Sequence, residues 1–368
     1  MRAPRSNCAD SLSYLDHLNA AFAAKRIPAS GTFDLTQRCN LRCVHCYVQS
    51  PEQRAGKPAR ASAGGRALST REVLCILDQA AKAGCLTMVL TGGEPLLRRD
   101  FATIYRHARE CGMLVSVFTN GTLITPEVVA VLREYPPLSV EISLYGATPA
   151  TYEAVTGVRG AYAACRRGIE RLLRHGVRVA LKTVVLTTNR HEFHAMEDLA
   201  RTYGVKFRLD GGIVGRLDGD RSPIRYRIPA EELVALEFED ADRAAAWKRY
   251  YAGVKGSPAS DRLYVCGAGL TSFHVNAVGR LMPCLMVPGV GYDLRRMRFA
   301  TAWSRIVRRI DARKGGAGFV CSRCEKLAVC SYCPGFALLD QGRERARSDY
   351  LCALGQQRLQ RLVTHSPR

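Results

Sequence analysis

The sequence predicts an α/β fold on a parallel sheet, either open or curled into a partial barrel, followed by a smaller cysteine-rich region. Three observations carry this expectation. Short β-branched runs and amphipathic stretches alternate through six β/α units between residues 30 and 216. Polar residues follow one predicted strand end after another, which is where parallel α/β folds build their sites. Ten of the 15 cysteines gather in one group near the start of the alternating region and a second group beyond its end.

The elements follow in order. Gly31–Thr36 reads as a strand that ends at a cysteine loop. Ser69–Gly84 reads as a helix with Ser69 as N-cap and Glu72 three residues on, a capping box. Leu86–Thr91 is a short apolar run and so a buried strand. Asp100–Glu110 is a helix closed by Gly112, Met113–Thr119 a strand, Pro126–Glu134 a helix and Val140–Leu144 a strand. Pro149–His175 reads as one long helical region ending at Gly176. Val177–Leu186 is a β-branched strand, Arg190–Tyr203 a helix and Val205–Leu209 the sixth strand. Ser50–Ala67 is expected to be a basic loop, and Leu217–Pro229 an exit linker. The domain boundaries read as an N-terminal extension (1–29), the α/β unit (30–216), a linker with a bridging helix (217–262), a cysteine-rich domain (263–354) and a basic C-terminal helix or tail (355–368).

Composition narrows the function classes. With 368 residues and 47% hydrophobic content the chain can bury a real core, which excludes wholesale disorder. No apolar run approaches the ~20 residues of a membrane span. Met1–Asp10 lacks the apolar stretch of a signal peptide, so the expected location is cytoplasmic. Structural disulfides are rare there, and 15 cysteines then point to metal or cluster binding. The formal charge is +21, with Arg supplying 45 of 54 basic residues. It favours an acidic partner, peptide or nucleic acid; the plainer alternative is a solvated Arg-rich surface.

Cys39, Cys43 and Cys46 place three thiols on a short loop. A [4Fe–4S] cube has four irons, so three cysteines leave one open to bind and activate a ligand. Zinc is the competing reading, but the adjacent His45 is badly placed to close a tetrahedron with Cys46. Cys75, Cys85, Cys111 and Cys165 sit in or beside amphipathic stretches and read as small buried side chains.

The run Cys39-Asn-Leu-Arg-Cys43-Val-His45-Cys46 at the end of a first strand, with Gly92-Gly93-Glu94 after the second, resembles the radical SAM superfamily over residues ~30–215. The resemblance implies a partial (β/α)6 TIM-like barrel. It implies an open iron that chelates the amino and carboxylate groups of S-adenosylmethionine, whose cleavage gives a 5′-deoxyadenosyl radical. By the same resemblance Gly92 and Gly93 let the backbone approach the ligand, and the Glu94 carboxylate or nearby backbone accepts from the ammonium group. His45 lies where a side chain packs on adenine, and Asn120 and Ser143 are partners for the nucleoside and the methionine. Lys182 would pair with the methionine carboxylate or serve only as a structural cation. Asp210, at a strand end, is a candidate base or simply a loop cap.

Cys266, Cys284, Cys321, Cys324, Cys330, Cys333 and Cys352 resemble the SPASM extension of these enzymes, a small domain with little regular structure that carries auxiliary clusters. The resemblance assigns Cys321, Cys324, Cys330 and Cys352 to a distal cluster and Cys266, Cys284 and Cys333 to a proximal one, giving three [4Fe–4S] clusters in all. Two departures stand out. The last close pair is spaced x2 where the family commonly has x3, and Gly267–Phe273 lacks a further cysteine. The proximal cluster therefore has an open iron for a substrate thiolate, a distant residue or water. Leu285 stands where the sulfatase-maturing branch has an acidic base, which argues against that activity.

The expected function is an oxidoreductase that abstracts hydrogen from a peptide residue to form a thioether or carbon–carbon crosslink or another oxidative modification. The alternatives are a small-molecule dehydrogenase or cofactor-biosynthesis enzyme and, further off, a zinc-dependent nucleic-acid-binding protein. About 30 residues precede the first strand, too few for a leader-binding domain. A peptide substrate, acidic by charge complementarity, would then be held by a separate leader-binding protein or by the basic surface. An external electron donor is implied.

Overall fold

The computed structural model describes residues 8–48, 65–255, 261–316 and 319–364. Most of the Ser50–Ala67 loop lies outside these residues. After helix α1 (Cys8–Lys25) come β1 (Ser30–Asp34), α2 (Thr70–Lys82), β2 (Thr87–Thr91), α3 (Phe101–Glu110), β3 (Leu114–Thr119), α4 (Pro126–Glu134) and β4 (Ser139–Ser143). They are followed by α5 (Pro149–Thr156), α6 (Ala161–Arg174), β5 (Val179–Val184), α7 (Phe193–Thr202) and β6 (Lys206–Asp210). β1 to β6 pair in parallel, each with its sequence neighbour, and β6 is an open edge of the sheet. This is an unclosed, partial β/α barrel.

Period-two burial explains the layers. In β2 and β4 every second residue is buried. Met88, Leu90, Val140 and Ile142 pack in the main core, while Thr91, Glu141 and Ser143 take the other face. The helices meet the sheet through amphipathic faces, such as Val73, Ile76, Leu77 and Ala80 of α2. The Ser69–Glu72 capping box forms as expected. Glu72 also pairs with Arg295, tying α2 to the C-terminal region.

Three expectations change. Pro149–His175 is two helices, because Gly157 (φ 68°) and Gly160 (φ 76°) take left-handed conformations between α5 and α6. The linker carries two helices, α8 (Ala230–Glu239) and α9 (Ala241–Val254), meeting at Asp240, which caps α9. Of the isolated cysteines, Cys85 and Cys165 are buried as expected, but Cys111 is half-buried and Cys75 is exposed, on the side of α2 away from its apolar face.

The C-terminal region contains β7 (Ser272–Val275), β8 (Arg280–Met282), β9 (Tyr292–Asp293), α10 (Phe299–Asp311), α11 (Leu327–Cys330), α12 (Pro334–Gln341) and α13 (Asp349–Thr364). That is more regular structure than its sequence suggests, because most of these elements are too short to show a period. β7 pairs in parallel with β1, and β8 and β9 follow antiparallel, so one nine-stranded sheet joins both regions. Helix α13 runs unbroken across the expected boundary at 354/355. It packs on α8 around Leu233, Leu351 and Leu354 and is pinned by the buried Arg358–Glu237 pair. No helix among the described residues is long and apolar enough to cross a membrane.

Candidate cluster and cofactor site at the barrel mouth

The first cysteine loop leaves β1 and is held by backbone from several directions. Gly93 N–H donates to Thr36 O (2.7 Å) and Glu94 N–H to Arg38 O (2.8 Å). Arg42 N–H donates to Thr156 O and Val44 N–H to Val155 O, at the end of α5. The Arg216 guanidinium donates to Cys46 O (2.8 Å), and Leu217 N–H to Tyr47 O. The loop is thus fixed before anything binds it.

Burial makes the Tyr145 hydroxyl harder to ionise, and the negative charge that Cys43, Cys46 and Cys39 would each carry adds to it, so all three lie near this ring. Cys39 accepts from Leu41 N–H and from the Asn120 amide, and burial pushes its thiol up to about 12. A tetrahedral zinc site would hold thiolates about 3.8 Å apart, from Zn–S bonds near 2.3 Å. Among the described residues no three of these cysteines approach so closely, since the only group of three or more ligand atoms within 4.8 Å is Asp78, His107 and Cys111. The wider spacing and all-thiol donor set fit a multi-iron cluster.

The glycines of the second loop serve a different contact from the one expected. A Cβ on Gly92 (φ 138°) would lie 2.3 Å from Thr36 O, and one on Gly93 2.3 Å from Arg38 O. Their missing side chains let this turn press on the cysteine loop's own backbone. Glu94 is fully buried and accepts from Thr119 Oγ1 (2.7 Å), Asn120 N–H (2.8 Å) and Leu96 N–H (3.1 Å). Burial lifts its carboxyl to about 7, against the opposing pull of those donors. The carboxylate is therefore turned into the protein, and only backbone carbonyls of this turn are left for an ammonium group.

The other expected residues divide. His45 packs edge-on against Tyr145 (centroids 4.7 Å apart), and burial lowers it to about 4, so the imidazole is neutral. Its buried Nδ1 has no hydrogen-bond partner, as a group awaiting a ligand would. The Asn120 amide is already engaged within the loops: it donates to Asn40 and Cys39 and accepts from Thr122. Ser143, at the end of β4, lies beside Tyr145. Lys182 lies over the Phe118 ring, 3.8 Å from Glu141, and burial lowers it to about 7. Asp210 caps its own loop by accepting from Gly212 N–H (2.8 Å).

Burial is the main cause that makes Cys284, Cys330 and Cys333 of the C-terminal region harder to ionise, and nearby thiols add to it: Cys333 and Cys266 for Cys284, Cys266 for Cys333, and Cys352, Cys324 and Cys321 for Cys330. These neighbours are the basis for a proposed three-plus-four division of the cysteines.

Five residues at or beside the mouth were missed by sequence reading: Asp34, Tyr47, Tyr145, Arg216 and His274. Tyr47 is 36% exposed, but its hydroxyl is pushed up by desolvation of its surroundings, with Asp34, Cys46, Cys284 and Asp210 adding to the effect. His274, 2% exposed, places Nε2 3.3 Å from Asp34 Oδ2, and its buried Nδ1 is unpartnered. Asp34 ends β1, and the strand-end rule applied to Thr91 and Ser143 would have found it. His274 reaches it only through the β1–β7 pairing, which leaves no local signal.

Residues 33–200 match the family model described as the radical SAM superfamily. The bacteriocin subtilosin biosynthesis protein AlbA of Bacillus subtilis is 28% identical over 271 residues, 71% of this chain and 56% of AlbA; the chain thus spans little more than half of that relative's length. The AdoMet-dependent heme synthase of Methanosarcina barkeri is 29% identical over 336 residues, covering 84% of this chain and 92% of its own. The mycofactocin maturase MftC of Mycobacterium ulcerans is 30% identical over 264 residues, 70% of this chain and 68% of MftC. Among solved structures, Streptococcus suis SuiB bound to its precursor peptide SuiA superposes with a TM-score of 0.70 at 16% identity, over 96% of this chain and 82% of that one.

Proposed function

The chain belongs to the radical SAM superfamily, and from that premise we propose that it is a peptide-modifying oxidoreductase with two auxiliary clusters. The family implies S-adenosylmethionine and one [4Fe–4S] cluster; the two further clusters and the peptide belong to the proposal. The observation that carries it is the packing of Cys333, with Met286, against the apolar cluster that holds Val185 and Val214, just past the C-terminal ends of β5 and β6. Two cysteine sets thereby face one mouth, as they must if an electron leaving a substrate there is to be accepted nearby.

Cys39, Cys43 and Cys46 would hold the cluster that, with S-adenosylmethionine bound, supplies a hydrogen-abstracting 5′-deoxyadenosyl radical. This chain's residues do the rest. The neutral His45, braced by Tyr145, offers Nδ1 to the nucleoside. Asn120 steadies Cys39 through its N–H···S contact. Asp34, backed by the buried His274, is the group proposed to take a proton from substrate, a role the loop-capping Asp210 fills less well. The precursor peptide bound by SuiB and the bacteriocin that AlbA helps to make favour a peptide.

The test is anaerobic reconstitution with S-adenosylmethionine, reductant and candidate peptides, read by mass spectrometry. Loss of two hydrogens from a peptide is the expected result. Absence of 5′-deoxyadenosine with all clusters intact would sink the reading. The long match to a heme synthase supports a second reading, a small-molecule substrate such as a heme precursor. It predicts that such a compound, and no peptide, is consumed in step with 5′-deoxyadenosine formation.

A further inference from the structure

Far from the mouth, two helices bring together three side chains that no step above uses. Asp78 lies on α2, His107 in the last turn of α3, and Cys111 caps α3. His107 Nε2 is 2.8 Å and Cys111 Sγ 3.5 Å from the same atom, Asp78 Oδ1. All three ligand atoms lie within 4.8 Å of one another. His107 and Cys111 are spaced i, i+4, so both project from one face of the helix end toward α2.

We propose that Asp78, His107 and Cys111 form a second, mononuclear metal site that takes a borderline divalent cation such as zinc. The donor set is one carboxylate oxygen, one imidazole nitrogen and one thiolate, the three ligand types zinc accepts, at bond lengths near 2.0–2.3 Å. Those bonds set ligand-to-ligand separations of about 3.3–3.8 Å in a tetrahedron. The present 2.8 and 3.5 Å need to open by only about half an ångström, within reach of side-chain rotation. Water would complete the shell, since all three residues keep partial solvent access.

The electrostatics of the place point the same way. The site lies in the last turn and cap of α3 and the second half of α2, toward the negative ends of two helix dipoles, although Lys82 and Arg109 also lie in those last turns. Glu110 adds a further negative charge beside Cys111. A cation is favoured there. Helices of a β/α barrel run opposite to its strands, so their C-termini lie at the end away from the mouth, where the fold keeps stability functions. The site would therefore clip α2 to α3 and take no part in catalysis. It would also give Cys111 a role beyond that of a small buried side chain.

The test uses cluster-loaded protein, incubated with zinc chloride, desalted and assayed for zinc and iron by plasma mass spectrometry. The wild type is expected to retain about one zinc more than Cys111→Ala or His107→Ala. Iron should be equal in all three, and zinc should raise the melting temperature of the wild type alone. Zinc bound at vacant cluster cysteines is common to all samples and cancels. Asp78→Asn keeps a hydrogen-bonding side chain beside His107 but weakens the oxygen donor; it guards against misfolding of the other variants and is expected to lower zinc retention too. Equal zinc retention and equal melting shifts across wild type and variants would overturn the site.

Discussion

Gly92→Ala separates two explanations of the glycine pair. If the glycines only clear space for S-adenosylmethionine, an added methyl should weaken ligand binding and leave the cluster-free protein as stable as before. The structure says otherwise. Gly92 has φ 138°, a region costly for an L-residue, and its Cβ would sit 2.3 Å from Thr36 O, a backbone atom that cannot swing away. The backbone strain contributes about 1–3 kcal/mol, and the overpacking a similar amount. The sum, about 2–6 kcal/mol, would appear before any cofactor binds. In urea, at a slope of roughly 3 kcal/mol per molar, it corresponds to a midpoint lower by about 1–2 M. The assay is urea unfolding of cluster-free protein followed by circular dichroism, with Gly93→Ala as a second case lacking the positive φ. The midpoint is the quantity read, since a chain of this size need not unfold in one step. An unchanged midpoint, with loss confined to S-adenosylmethionine binding, would refute the backbone-packing explanation.

Glu94 gives a pH signature. Its carboxyl is raised from 4.5 to about 7, so the folded state keeps a proton that the unfolded chain has released. Its contribution to stability is complete below about pH 4.5 and lost as pH rises through 7, a difference of roughly 3 kcal/mol. The urea midpoint of cluster-free wild type should fall more steeply between pH 5 and 8 than that of Glu94→Gln; parallel curves would count against it. Arg216 is 1% exposed and joins Asp220 to Cys46 O. Arg216→Met should cost about 2–3 kcal/mol, discounted because Asp220 is a third exposed, and should lower iron retention in the first cluster. Thermal melting with iron counting checks it, and full retention of iron would show that the loop does not depend on Arg216. Cys330→Ala and Cys333→Ala should each lose about four irons, but from different clusters. Mössbauer and electron paramagnetic spectra of the two variants should differ, and identical spectra would dissolve the partition of the cysteines.

What the sequence made legible is what local chemistry writes. The Ser69–Glu72 box, the apolar and β-branched runs of β2, β4 and β5 and the Cys39–Cys46 loop all depend on residues within a few positions of each other. The split between α5 and α6 was missed although both glycines were visible, because Gly inside a helical pattern is also tolerated at a modest cost. The site residues that were missed share a different cause. His274 meets Asp34 through the pairing of β7 with β1, two strands far apart in the chain. Closing so long a loop costs only slightly more entropy than closing a short one, so no neighbouring residues need be chosen to favour it. The inward turn of Glu94 and the engagement of Asn120 with Cys39 follow from three loops meeting, which no single loop records.

The crossing of the last cysteines shows how one residue can decide such a matter. Cys330 and Cys333 are three positions apart, and continued helix would put both thiols on one face. Ser331 prevents this. It ends α11 in the left-handed region, at φ 56° and ψ 42°, and so reverses the chain between the two thiols. Cys330 stays with α11 against Gly355, where a Cβ on that glycine would come within 2.6 Å of Cys330 Cβ, on the same helix as Cys352. Cys333 begins α12 as its N-cap, with Phe336 N–H donating to its sulfur, and joins Cys284 and Cys266. The x2 spacing that departs from the family pattern is therefore compatible with two separate sets, because a left-handed residue makes the turn that a longer spacer would otherwise provide.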